Sequence, residues 1–444
     1  MSTESITPAE APARAGWRDA IRGNVLMMGV VSMFTDFSSE MMNPLLPVFI
    51  AGLVGGKWAA FWVGLSEGVA ETTASLLKVF SGRFSDALGK RKPLVVIGYG
   101  TSALARPMMA LAGLVVAGGA ALQVVALKFL DRVGKGIRTS PRDALIGDAV
   151  GPEYRGLAFS FGRAMDNFGA VLGSVVVIVA LYAFLGYARW GPAATAGQAA
   201  GTVPPEEMRA LRILFALALI PGLAAMAALI FRVRDIAPKA AASHAEHKHG
   251  VWRRLPGKFY AFVGIVTLFA LGNSSDMFLL LYGWQMFGLG LVEVVLLWIV
   301  LHLSKVAFNV PGGVLSDRIG RRPLIVGGWL VYAGVYLGMA FVSAAWQFWA
   351  LFVLYGVYYG MTEGAEKALV ADFIPSAYRG TAFGLYHGAI GIAALPASLI
   401  FGVFWAVIGP RIAFGIGAAL AGLASVLLIV LLSASRKGLA PAAT

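Results

Sequence analysis

The sequence predicts an all-α membrane protein, with twelve transmembrane helices arranged as two pseudo-symmetric six-helix bundles. Three observations carry that prediction. The first is composition: of 444 residues, 58% are apolar and only 13% charged, with a mean hydropathy of +0.76. A soluble domain carries about 25% charged residues. The second is a series of long apolar runs. A bilayer core about 30 Å thick takes roughly 20 apolar residues per helix, so twelve spans use about 240 residues. The runs are continuous rather than alternating, which excludes a barrel of lipid-facing strands. The 55 glycines, 11 tryptophans and 27 phenylalanines suit packed transmembrane helices. The third is that the second half of the chain repeats motifs of the first.

The apolar runs place spans 1–6 at 24–52, 58–81, 94–117, 121–139, 157–186 and 209–231. Spans 7–12 follow at 259–284, 291–312, 324–344, 347–369, 381–408 and 411–434. Residues 1–23 hold Glu4, Glu10 and Asp19 among small residues and read as a cytoplasmic tail rather than a cleavable signal. The first run is too long for a signal core and carries Asp36 and Glu40, so it is a retained span. Residues 233–258 are polar and basic, with Pro238 and Pro256, and read as a cytoplasmic linker between bundles at 24–232 and 259–434. Residues 435–444 form a second cytoplasmic tail. His244, His247 and His249 in the linker could bind a metal, although a solvated loop is the plainer reading. No cofactor or other metal site is expected.

With the N-terminus inside, the inner segments hold about 23 Lys and Arg and the outer segments about 5. Both termini are therefore expected on the cytoplasmic side of the cell membrane. This bias accounts for the net charge of +13 without a nucleic-acid partner. The chain has no cysteine, which excludes disulfides, thiol nucleophiles and cysteine metal sites.

The repeat has three parts. Gly82-Arg-Phe-Ser-Asp86-Ala-Leu-Gly89-Lys-Arg-Lys-Pro93 matches Gly313-Val-Leu-Ser-Asp317-Arg-Ile-Gly320-Arg-Arg-Pro323. Ala144 to Asp148 with Tyr154-Arg155-Gly156 matches Ala368 to Asp372 with Tyr378-Arg379-Gly380, and Ser38-Ser39-Glu40-Met41 matches Ser274-Ser275-Asp276-Met277. The offsets are 231, 224 and 236 residues. An offset that spans an even number of helices makes the repeat parallel.

The loop Gly82-x-x-x-Asp86-x-x-Gly89-Lys-Arg-Lys resembles the signature loop of the major facilitator superfamily, and it recurs after span 8. Arg132-x-x-x-Gly136 in span 4 is similar to that family's Arg-x-x-x-Gly element. The resemblance covers essentially the whole chain. It implies two six-helix bundles around a central cavity that opens alternately to each side. It also implies that Asp86, with Arg91 nearby, latches the halves on the cytoplasmic side when the cavity faces out, and that Asp317 is its counterpart. In span 5, Gly169-x-x-x-Gly173-Ser174 stands where the family's antiporters carry Gly-Pro, a departure from the antiport pattern.

Charges inside the spans point to function. A charge at the bilayer centre costs about 2.5–3.5 kcal/mol on insertion scales, so it needs a partner or a wet cavity. Asp36 and Glu40 lie four apart on one helical face. Asp36 is about 12 residues, or roughly 18 Å, from the inner end of span 1. Span 4 brings Lys128, Asp131, Arg132 and Lys135; span 2 brings Glu67, Glu71 and Lys78; span 5 brings Arg163 and Asp166. The near-balance of acids and bases predicts that most are paired, and for any one residue a structural pair is as good a reading as a functional one. Asp36, Glu40, Asp131 and Arg132 are the exceptions, expected to couple transport to protons. Burial favours a neutral carboxyl and a nearby arginine favours the charged form, so alternating hydration can load and unload a proton. Asp36 or Glu40 would be the carrier and Arg132 the tuning charge, unless Arg132 binds a substrate anion.

Candidate substrate contacts are Glu71, Lys128 and Arg163 in the first half. In the second half they are Asn273, Asp276, His302, Lys305, Tyr355, Tyr359, Glu363 and His387. The first wall is charged and the second aromatic, which predicts energy coupling in one half and apolar contact in the other. The expected function is alternating-access, proton-coupled export of a small organic compound by a monomer in the lipid bilayer. Alternatives are proton-coupled uptake of an organic anion or metal complex, or a non-transporting receptor or lipid-moving protein. Gly64-Leu-Ser66-Glu-Gly68 fits a nucleophile-elbow pattern but lies within a span rather than a strand–turn–helix, so no enzyme is predicted.

Overall fold

A computed structural model describes residues 21–88, 90–115, 119–151, 154–186, 202–235, 255–374 and 379–437. The first half runs α1 (Asn24–Glu40), α2 (Leu46–Val54), α3 (Ala59–Leu88), α4 (Lys92–Met108), α5 (Ala120–Asp148), α6 (Arg155–Leu185), α7 (Pro205–Leu217) and α8 (Leu219–Arg232). The second runs α9 (Gly257–Gly272), α10 (Met277–Phe287), α11 (Leu291–Ile319), α12 (Arg321–Phe341), α13 (Ala345–Phe373), α14 (Arg379–Val407) and α15 (Pro410–Lys437). The pairs α1–α2, α7–α8 and α9–α10 are interrupted helices that each make one passage, which gives the twelve expected. The histidines of the 233–258 segment, His244, His247 and His249, lie outside the described residues.

Several helices run past the apolar stretch that betrayed them: α5 continues to Asp148 and α11 to Ile319. Hydropathy falls where charged residues begin, but backbone hydrogen bonding continues into the interfacial layer. Among the described residues, nine passages are long and apolar enough to cross a membrane on those grounds alone. The other three are α3, α5 and α13, which carry Glu67, Glu71 and Lys78, then Lys128, Asp131, Arg132 and Lys135, then Glu363, Glu366 and Lys367.

The break between α1 and α2 follows from Pro44 and Pro47, which lack the N–H that an unbroken helix would donate to Glu40 and Asn43. The break between α9 and α10 contains no proline. Side chains satisfy the freed polar groups there: the Tyr332 hydroxyl donates to the Gly272 carbonyl at 2.9 Å, and the Met277 N–H donates to the Ser275 hydroxyl at 3.3 Å.

The ends of the helices define two faces, of which the one bearing Lys92, Arg155 and Arg321 is the basic face. On the opposite face the halves are welded. One continuous apolar core joins Leu46, Phe49 and Val63 of the first half to Phe278, Leu281 and Phe401 of the second. Near the basic face the first half keeps a separate core around Met28, Tyr99 and Leu229. Helices α3 and α14 pack closely where glycines leave no side chain between backbones: a Cβ on Gly64 would lie 2.3 Å from the Ser398 carbonyl oxygen. That contact extends to Thr72, whose hydroxyl donates to the Gly391 carbonyl at 2.6 Å. Further towards the basic face Phe80 and Phe84 are exposed, and a Cβ on Gly384 or Gly388 would meet nothing within 4 Å. The space between the halves therefore opens to the basic face.

Candidate functional site

A cavity of about 300 Å³ lies where the two halves meet. Its wall includes Glu67 and Glu71 of α3, the segment Asn273–Met277 at the α9–α10 break, Trp298 of α11, Tyr359 of α13, and Ile390 and Ser398 of α14. A larger cavity, about 640 Å³, sits within the second half at the basic face, beside Arg321, Arg322 and Asp372. It does not lie between the halves, so the smaller one is the candidate transport chamber.

The α9–α10 break presents Asp276, around which α11 and α13 place their polar groups. Lys305 Nζ lies 3.0 Å from one carboxylate oxygen, and the hydroxyls of Tyr355 and Tyr359 donate to the other at 2.7 and 2.9 Å. The Lys305 ammonium also sits 3.7 Å from the centre of the Tyr359 ring. Asn273 donates to the Tyr358 hydroxyl at 3.1 Å. These five predicted contacts form one cluster.

In the first half, Lys128 Nζ lies 3.1 Å from Glu67 and 3.4 Å from Asn43 Oδ1, and Asn43 donates to Glu40 at 3.0 Å. Beside the Thr72–Gly391 bond, two hydrogen bonds at the chamber cross between the halves among the described residues: the Trp298 indole N–H donates to Glu40, and the Ser275 hydroxyl donates to Glu67 at 3.4 Å. Asp36 is half-buried one turn before Glu40, and the charges acting on it are Asp166, Glu40, Lys135 and Arg106. Asp131 is buried against Arg106 at 3.0 Å, with Arg132 at 3.8 Å. It pins α5 to α4 inside the first half and lies apart from the chamber wall.

Four further predicted contacts belong neither to the wall nor to the polar clusters behind it. Arg163 is 81% exposed and 4.0 Å from Asp166, because its position on α6 turns it from the chamber. Glu363 makes an exposed pair with Lys367 one turn along α13, at 3.0 Å. His302 turns back along α11, its Nδ1 2.9 Å from the Trp298 carbonyl. His387 is exposed beside the ring of Tyr386.

At the basic face, Arg91 pairs with Asp148, and its N–H donates to Asp235 at 3.3 Å. Arg321 pairs with Asp372 in the equivalent place of the other half. The side chains of Asp86 and Asp317 lie outside those described. Sequence reasoning quoted Asp148 and Asp372 as repeat markers but did not see them as partners of the signature-loop arginines. It did not single out Trp298, and it read Glu67 only as one of the span 2 charges; the 231-residue offset places the two in register with each other.

A bundle of two repeated halves, welded on one face and enclosing a charged chamber, is the architecture of a membrane transporter. The chain belongs to the major facilitator superfamily, whose sequence profile matches residues 28–305 and 300–443. It is 32% identical over 411 residues to an uncharacterised MFS-type transporter of Methanocaldococcus jannaschii, covering 91% of this chain and 94% of that one. A shorter likeness, 29% over 158 residues and 34% of each chain, links it to the multidrug resistance protein MdtH of Klebsiella pneumoniae. The crystal structure of a D-xylose-proton symporter shares the fold, with a TM-score of 0.70 at 17% identity over 93% of this chain and 97% of that one. The protein is thus a multi-pass membrane transporter and not an enzyme.

Proposed function

We propose that the protein is a proton-coupled transporter that exports a small organic compound by alternating access, with the basic face in the cytoplasm. The observation that carries the reading is the position of Glu40. Its carboxylate sits at a helix break one turn from Asp36 and accepts the Trp298 hydrogen bond from the other half. A proton arriving there changes both a charge inside the membrane and a contact that holds one face shut. Ionised, Glu40 is the stronger acceptor and favours closure opposite the basic face; protonated, it binds the indole more weakly and eases opening. Asp36, one turn before Glu40 on α1, is the second carrier. The partial likeness to a multidrug resistance protein supports export.

The test is transport in proteoliposomes with an imposed pH gradient. Asp36→Asn combined with Glu40→Gln should abolish gradient-driven movement while leaving expression and folding intact. Full gradient-driven transport by that double variant would exclude both carboxylates as carriers. Proton flux triggered by adding one solute reports coupling and its sign together.

A further inference from the structure

The chemistry of the chamber wall narrows the class of solute. Three of its side chains carry charge, Glu67, Glu71 and Asp276, and all three are acids; the rest of the wall supplies hydroxyls, an amide, aromatic faces and aliphatic groups. Two of the acids are committed. Asp276 faces Lys305 at 3.0 Å and takes two tyrosine hydroxyls, and Glu67 faces Lys128 at 3.1 Å. Both lysines stand behind the wall rather than in it.

Glu71 differs. It is exposed to the chamber, and among the described residues it has no ion-pair partner within 4.0 Å. The positive charges acting on it are Lys135 and Arg132 of α5 and Lys78 of its own helix, and none of them closes to contact. Among the described residues its one side-chain hydrogen bond comes from Ser75, a neutral neighbour one turn along α3. A carboxylate at membrane depth is retained at a cost, and one without a cationic contact is available to pair with a mobile cation. Beside it, Ala270, Met277, Ile390 and Ala394 give the wall an apolar stretch, with Tyr359 and Trp298 offering ring faces. A volume of about 300 Å³ suits a small solute.

We infer that the transported solute is a small organic cation, a protonated amine on an apolar body, with Glu71 as its counter-ion in the chamber. This rests on the reading of the inter-half cavity as the transport site, and is independent of what drives the cycle.

The test is calorimetric titration of the full-length protein in lipid nanodiscs, at one pH and with no gradient. Three probes share one body and differ in head group: phenylbutylammonium, phenylbutanol and phenylbutyrate. The ammonium should bind at least tenfold tighter than the alcohol, about 1.4 kcal/mol, and the carboxylate should bind weakest. Glu71→Gln should bring the ammonium to the affinity of the alcohol, and Glu71→Asp should keep part of the preference; monodisperse elution of each variant verifies folding. Three equal affinities, no measurable ammonium binding, tightest binding of the carboxylate, or an ammonium preference that survives Glu71→Gln would each overturn the assignment. Because the titration uses no gradient, loss of proton coupling would leave it standing, and proton-coupled transport of a neutral or anionic solute would sink it alone.

Discussion

Asp131 and Arg106 show how a charge survives inside this fold. Each is about 5% exposed or less, their side chains meet at 3.0 Å, and a second Arg106 nitrogen donates to the Thr35 carbonyl at 2.8 Å. The Ser102 hydroxyl donates to the Asp131 carbonyl, completing a knot between α4, α5 and α1. Removing one partner of such a pair leaves the other charge buried alone, at a cost of about 3–5 kcal/mol, whereas replacing both by apolar groups is close to neutral. Asp131→Leu should therefore lower the thermal unfolding temperature in detergent sharply, and Asp131→Leu with Arg106→Met should regain most of the loss. A single variant as stable as the parent would show that the pair bears no structural weight. The sequence gives the depth of Asp131 and its helix, which is why it groups with Asp36 and Glu40. It does not give the rotation that turns Asp131 to Arg106 and away from the chamber.

At the level of elements, α1 and α6 are held together by the absence of side chains. A Cβ on Gly169 would lie 2.1 Å from the Met33 carbonyl oxygen, and one on Gly173 would lie 2.7 Å from that of Phe37. The Gly169–Gly173 pair thus packs within one chain, against the helix that carries Asp36. Gly169→Val would force the helices apart, with an overpacking cost of about 1–3 kcal/mol. Its effect should appear as a lowered unfolding temperature together with impaired transport, since α1 moves with its carboxylates. A variant with parental stability and activity would contradict this packing. The helices themselves were legible because apolar length is a direct demand of the bilayer. The breaks were harder to see, because hydropathy is blind to backbone pairing. Pro44 and Pro47 were the signal for the first break. For the second there was only its match to the first, Ser274-Ser275-Asp276-Met277 against Ser38-Ser39-Glu40-Met41.

For the whole molecule, the repeat organises the contact between halves. The 231-residue offset carries Glu67 onto Trp298, and the 236-residue offset carries Ser39 and Glu40 onto Ser275 and Asp276. Two of the hydrogen bonds that cross the interface are thus versions of one contact: α11 reaches the α1–α2 break through Trp298 and Glu40, and α3 meets the α9–α10 break through Glu67 and Ser275. The duplication was legible in the sequence, but which face the halves close upon was not, since that depends on packing across the interface. Opening the welded face breaks both bonds. A hydrogen bond to a charged group contributes about 1.5–3 kcal/mol, so Trp298→Phe, which keeps a ring and removes the donor, should shift the conformational balance about 10- to 100-fold towards opening of that face. The chain has no native cysteine, so Trp58→Cys and Val407→Cys, at exposed positions on opposite halves of the welded face, can carry spin labels directly. Their distance distribution should gain a longer component in the Trp298→Phe background, and Glu40→Gln should move it the same way. A distribution unchanged by both substitutions would mean that the apolar core alone holds this face shut.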